Sequence, residues 1–330
     1  MKAAAVGAGD LLRMVRTGVD VNSIHAQAKR PFRIFLCGDP ALVADLRATL
    51  LAGHGGEIPF EAGGVLETIV QGRPAIVTPE AKGVVFLGRP GDREGADFAP
   101  LLALKLPILA VTVDPAATPK APPGPPGPGE VGEYTVTEIN AQALRGYLFP
   151  HLVQICHGVE VAVARNLPAL REFCAAKLTR DAAKRALTVA GASAVLDHVP
   201  LLGLVLGPIA SAGDMVAITG IQMALMLQIG SCYGKDPDLG HVWELLPVVG
   251  GGFGWRALSR ELAGFIPVAG VAIKAAIAYA GTIVVGEGVN FFYQHGRHMS
   301  AADAAKLYEE TKASAMTFGR DVLKRIRGKS

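Results

Sequence analysis

The chain has 330 residues, 50% of them hydrophobic, 18% charged and 6% aromatic, which is room for two ordinary domains drier than most soluble ones. A formal net charge of +3, dispersed along the chain, excludes a nucleic-acid partner held by bulk positive charge. Cys37, Cys156, Cys174 and Cys232 stand far apart with no CxxC spacing, which argues for reduced thiols and against a disulfide frame or a zinc site.

Residues 1–16 lack the continuous apolar run of a secretory signal, with Asp10 and Arg13 coming early, so none is expected. Leu11, Leu12, Val15 and Val19 recur near helical spacing and predict an amphipathic helix over 10–28 that covers the next domain. Residues 31–140 then alternate strand-like and helix-like pieces. Apolar runs at 33–37, 65–70, 75–78, 83–87 and 107–113 have strand length and are bounded by Gly, Pro or Asp. A short strand is expected at 134–137. Helices are expected after Gly38, with Leu42, Leu46, Leu50 and Leu51 on one face, and at 97–104. Continuous apolar strands separated by helices predict an α/β domain with a parallel sheet covered on both faces. The Pro/Gly stretch 115–130 can continue neither a helix nor a central strand and is expected as an extended loop.

Everything from 139 onward reads as helix. Residues 139–166 form one long segment with a break expected at Pro150, and 167–177 another; residues 141–178 thus connect the two domains. Thr179, with Asp181 behind it, is expected to cap a helix running to about Asp197. Apolar blocks follow at 199–213, 215–233 and 262–286, and Asp236 with Pro237 has the form of a helix start. Ser300 is expected to cap a last helix over 300–330, with Leu307, Thr311, Ala315, Phe318, Val322 and Ile326 on one stripe. The basic residues Arg320, Lys324, Arg325, Arg327 and Lys329 gather at its end, as a solvated terminus or a contact for anionic lipid.

Strand, glycine, helix is the setting of a phosphate-binding loop. Such a loop needs backbone amides around the phosphates, a Lys on the β- and γ-phosphates and a hydroxyl on magnesium. The matching stretch is Gly38, Asp39, Pro40, Ala41, Leu42, Val43, Ala44, Asp45. Val43 and Ala44 stand where the second Gly and the Lys belong, and Asp45 replaces the hydroxyl. Pro40 removes a donor, and Asp39 and Asp45 bring negative charge toward a polyanion. In order along 31–140, these elements resemble a degenerate Era-like GTPase domain. The resemblance places the magnesium-side Asp-Thr-Pro-Gly at Val77, Thr78, Pro79 and Glu80, with its Asp and Gly lost. It places the guanine-reading motif at Val111 to Asp114, of which Asp114 alone is retained, and the Ser-Ala signature at Thr135, Val136 and Thr137. What it implies is a pseudo-GTPase that takes neither GTP nor ATP.

Residues 179–299 resemble the GTPase-associated domain of unknown function found in YcjF-like membrane proteins. The resemblance rests on Leu206, Gly207, Pro208 and Ile209; on Asp214; on Ile221, Gln222 and Met223; and on Tyr233 with Gly234. It continues in Gly250, Gly251, Gly252 and Gly254 before Arg256 and Arg260, and in Ile266, Pro267 and Gly270 before an Ala-rich helix. It implies membrane association and no reaction. Residues 215–233 carry no charge and are long enough to cross a hydrocarbon core; 262–286 is long enough too, with Lys274 at its middle. A central Lys costs about 2.5–3.5 kcal/mol on insertion scales, and Asp214 is a candidate partner for it. The glycines at 250–254 fit a close helix approach or hinge better than a phosphate site, because no strand precedes them. Cys156 and His157 are sequence neighbours whose side chains diverge on a helix. His295 and His298 lack a third metal ligand nearby.

The expected protein is therefore an α/β domain shaped like a degenerate GTPase, followed by an all-α domain with very apolar helices. It is expected to be a non-catalytic adaptor or scaffold without cofactor or metal. Its expected partners are membrane lipid and a protein or second copy, not nucleic acid or GTP. Its expected place is the cytoplasmic face of a membrane, in bacteria the inner one. The alternatives are a soluble helical bundle and a divergent nucleotide hydrolase.

Overall fold

The computed structural model describes residues 19–53, 62–70, 76–95, 98–196, 203–240 and 271–327, with side chains given except at 62–63, 191–196, 203–215, 271–274 and 317–327. The chain divides into two compact units. The sheet unit comprises Ala26–Cys174 and Ser231–Lys235; the helical unit comprises Met1–His25, Ala175–Gly230 and Asp236–Ser330.

Helix α1 (Val21–Ala28), of which Ala26–Ala28 belong to the sheet unit, leads into strand β1 (Arg33–Gly38), helix α2 (Pro40–Leu51) and strand β2 (Leu66–Thr68). Strand β3 (Ala81–Gly88), helix α3 (Ala99–Leu102), β4 (Ile108–Val113) and β5 (Val131–Val136) follow. All five strands are parallel, in the order β2-β1-β3-β4-β5, a common doubly wound order. Ile34 pairs with Leu66 on one side and Gly83 on the other; Val85 pairs with Leu109, and Val111 with Tyr134. The inner strands are apolar throughout because both of their faces are covered. Phe35, Val84, Phe86, Ile108 and Ala110 pack on one face with Phe98 and Leu101, and the Phe86 and Phe98 rings meet edge to face at 5.0 Å. The alternate residues Ile34, Leu36, Val85, Leu87 and Leu109 are fully buried on the other, as are Leu46 and Leu50 of α2. Each such side chain contributes about 1.5–3 kcal/mol of burial. The Pro/Gly stretch is an extended loop, as its composition requires. It lays Lys120 antiparallel against Thr135 of β5, with the two amide-to-carbonyl bonds at 2.9 and 2.8 Å.

Three local expectations are corrected. Residues 76–78 form no strand: Ile76 is 76% exposed, and the chain turns at Pro79 and Glu80 before β3 begins at Ala81. Apolarity alone suggested pairing there, but β2 and β3 already occupy both sides of β1. The segment 139–166 is three helices, α4 (Ala141–Arg145), α5 (Leu148–Ile155) and α6 (Glu160–Asn166), and Pro150 does not break it. Pro150 sits in the first turn of α5, where no intrahelical amide is missed. The break near 157 falls instead at Gly158, whose φ is +82°. Thr179 caps nothing. It lies inside α7 (Arg171–Leu196), 1% exposed, because packing decides its place over its capping preference.

The helical unit holds the rest of α7, most of α8 (Gly203–Cys232), α9 (Val271–His295) and α10 (Ala301–Arg327). The blocks 199–213 and 215–233 merge from Gly203 into the single helix α8, which closes at Gly234 with φ +85°. Small residues (Ala186, Ala190 and Ala278) pack with Ile218 in a shared core, so helices approach closely. Within the same unit, Gln222 Nε2 donates to Thr282 Oγ1 at 3.2 Å, and Thr282 Oγ1 donates to Ala278 O at 2.8 Å. Where α7 meets α9, a Cβ built on Gly286 would fall 2.2 Å from Thr179 Oγ1. Helices α9 and α10 pack as a hairpin across 296–300. Ser300 caps α10 as expected: its Oγ accepts from the Asp303 amide at 3.1 Å and donates to Asp303 Oδ2 at 2.6 Å. Leu307, Thr311 and Ala315 of the stripe are half-buried, while the side chains of Phe318, Val322 and Ile326 lie outside the described ones. Residues 235–238 are non-helical, and whatever helix Asp236 starts would run into residues outside the described ones.

Among the described residues one helix is long and apolar enough to cross a membrane: Ala275–His295, 21 residues with a mean hydropathy of 1.3. Within it, 67% of an apolar 18-residue window is buried inside the protein.

Candidate functional site

Doubly wound sheets take ligands beyond the carboxyl ends of their strands, where the strand order reverses. Here it reverses between β1 and β3, which puts Gly38, Asp39 and Arg89 at that point. A phosphate loop needs several residues between strand and helix, so that free amides can curl round the anion. In this chain a single residue separates them: β1 ends at Gly38 and α2 begins at Pro40.

The amides that would face a phosphate are engaged or missing. Asp39 N donates to Leu87 O at 2.8 Å, and Pro40 has no N–H. Ala41 N and Leu42 N donate to Asp39 Oδ1 at 2.8 and 3.2 Å, and Val43 N donates to Asp39 O at 2.9 Å. The Asp39 carboxylate thus sits where an anion would sit, capping its own helix. Arg89 Nε lies 3.7 Å from Asp39 Oδ2, a mostly exposed contact that adds little. Gly38 closes the corner with φ +108°, and a Cβ there would lie 1.9 Å from Leu87 O.

The remaining nucleotide-loop residues do not converge. Val43 is buried in the first turn of α2, and Ala44 and Asp45 stand exposed further along that helix; none is on a loop. Asp114 follows β4 at the same edge, two strands from β1, and its Oδ1 accepts from Ala116 N at 3.0 Å. Thr78 lies at the opposite edge. Thr78 O accepts from Ala81 N, and Glu80 O from the amide of Arg33, the first residue of β1. The strand that precedes β3 in sequence is Leu66–Thr68, so Thr78 belongs to the return loop and cannot face Gly38. Thr135 and Val136 are ladder residues of β5, not a loop.

Of the helical-domain residues, Gln222 is buried in the hydrogen bond to Thr282, and Tyr233 is buried under the Arg171 guanidinium at 5.7 Å. Asp214 and Lys274 lie in α8 and α9 with side chains outside the described ones, so their pairing does too. Gly252, Arg256 and Pro267 lie outside the described residues altogether.

Nucleophiles and metal ligands give no second centre among the described residues. The four cysteines are buried and form no disulfide, and burial pushes the Cys156 thiol up to about 12, far from a reactive thiolate. His295 and His298 stack on Phe291 and Phe292, and no group of three metal ligands forms among the described residues. The sequence reading missed Tyr134 and His151, whose O–H and Nδ1 meet at 2.8 Å. Burial lowers the His151 pKa and raises that of Tyr134, which keeps both neutral and the bond structural. It also missed a cleft at the amino edge of the sheet, lined by Lys29, Arg30 and Arg33. The basic run just before β1 was its signal.

No protein-family model matches this chain, and no match is found among curated proteins or solved structures.

Proposed function

We propose that this protein is a non-catalytic scaffold or adaptor. Its sheet domain is a degenerate GTPase-like unit that takes no GTP, and its helical domain holds it to the cytoplasmic face of a membrane. The observation that supports the first half is the helix start at Pro40, where Asp39 and Leu87 engage every amide a phosphate would need. Asp39 would also repel the ligand. Isothermal titration with GTP and magnesium, run beside inorganic triphosphate, tests it. The expected result is no GTP binding beyond that of triphosphate alone; guanine-selective micromolar binding overturns it.

The apolar stretch Ala275–His295 supports the membrane half. One observation favours the alternative, a bundle packed only on itself: two thirds of an apolar 18-residue window of that stretch is buried, with the Gln222–Thr282 bond inside. Fractionation separates the two. Membrane attachment predicts a pellet that resists carbonate and yields to detergent, whereas a protein recovered wholly in the supernatant of lysed cells is a self-contained bundle.

A further inference from the structure

The amino edge of the sheet, opposite the blocked switch point, opens into a cleft of about 790 Å³. That volume lies within the roughly 300–1,000 Å³ of small-molecule sites. Four cationic residues line it, Lys29, Arg30, Arg33 and Arg165, against the single acid Glu80. Pro31 and Val65 add apolar lining.

The position is rigidly framed. Arg33 is the first residue of β1, Glu80 precedes β3, and Val65 ends a short 3₁₀ turn directly before β2. Arg30 is anchored without being neutralised: its Nη1 donates to Gly158 O at 2.9 Å, a carbonyl and not a carboxylate. A guanidinium has five N–H donors, so one such bond leaves others for a ligand. Arg33 Nη1 reaches Glu67 Oε2 at 2.7 Å, also with donors remaining. Lys29 is exposed, and no ion pair engages it among the described residues. Like charges gathered in one concavity raise each other's energy, and an anion of two or more charges relieves that repulsion. Arginine forks match phosphate oxygens two at a time.

We propose that this cleft binds a ligand carrying two or more phosphate charges, either as a free molecule or as a lipid headgroup. The site is separate from the blocked phosphate loop, because it lies at the other end of the strands and includes none of residues 38–45.

The test titrates the full chain with inorganic pyrophosphate, up to about 1 mM, in wild type and in Lys29→Glu and Arg33→Gln. In parallel, the same proteins are sedimented with phosphatidylcholine vesicles, plain or doped with phosphatidic acid. Circular dichroism melts establish that each variant is folded; Lys29 is exposed, so its replacement leaves the core intact. The expected result is saturable pyrophosphate binding that weakens about tenfold in each variant, equivalent to about 1.4 kcal/mol. If the gain in vesicle binding on doping is lost in the same variants, the phosphate belongs to a lipid. If doping changes nothing while pyrophosphate binds, it belongs to a free molecule. No pyrophosphate binding and no doping effect, or binding equal in wild type and both variants, overturns the proposal.

Discussion

Gly38→Ala destabilises the sheet domain by about 3 kcal/mol or more. Two costs combine. The backbone at Gly38 has φ +108°, a region that side-chain-bearing residues rarely enter. The new Cβ would also stand 1.9 Å from Leu87 O and 2.8 Å from Leu87 C, both backbone atoms of a central strand. Neither can swing away as a side-chain tip would. Relief requires β1 and β3 to part at their carboxyl ends, which breaks the bond from Asp39 N to Leu87 O and loosens the cap on α2. Amide hydrogen exchange resolves this locally: the Asp39 amide and the neighbouring amides of β1 and β3 lose protection together in the variant. Unchanged protection at Asp39 contradicts this geometry.

Gly286→Ala destabilises the helical domain by about 2 kcal/mol, even though alanine is the better helix former by about 1 kcal/mol. The added methyl would meet Thr179 at Oγ1 (2.2 Å), Cγ2 (2.5 Å) and Cβ (2.8 Å), so the whole side chain obstructs it. Thr179 is itself a poor occupant: its hydroxyl is buried with no hydrogen-bond partner. Thr179→Ala alone is therefore nearly neutral, because it removes an unsatisfied group along with a little packing. In that background two of the three close contacts are gone, and the cost of Gly286→Ala falls by more than half. Urea melts of the four proteins give the coupling. Strict additivity places the two residues apart and refutes the crossing.

The parts of the fold most legible in sequence were those where one local signal faced no competitor. The apolar runs of β1, β3 and β4 could only be buried strands, and Ser300 with Asp303 three residues on could only be a cap. Thr179 carried the same kind of capping signal and was misplaced, since the sequence does not say that Gly286 lies against it. Residues 75–78 are as apolar as a strand, yet the sheet had no vacancy beside β1. At the candidate site, the negative charge of Asp39 was visible, but the absence of any loop was not recognised. Its signal was present: Asp followed by Pro is a helix start, the same reading given to Asp236 and Pro237, and here it places α2 immediately after the strand. Tyr134 and His151 were out of reach because nothing in the spacing of two polar residues announces a shared hydrogen bond.

The Pro/Gly loop beside β5 has a consequence for behaviour at high concentration. An outermost strand offers unpaired amides and carbonyls to any extended segment that drifts near, which is how sheets merge into fibres. Here Lys120 already takes both the N–H and the C=O of Thr135, and prolines on either side of it have no donor to pass on. Recruitment of another molecule's strand along that margin is thereby obstructed, and shortening the loop would expose the margin to such recruitment.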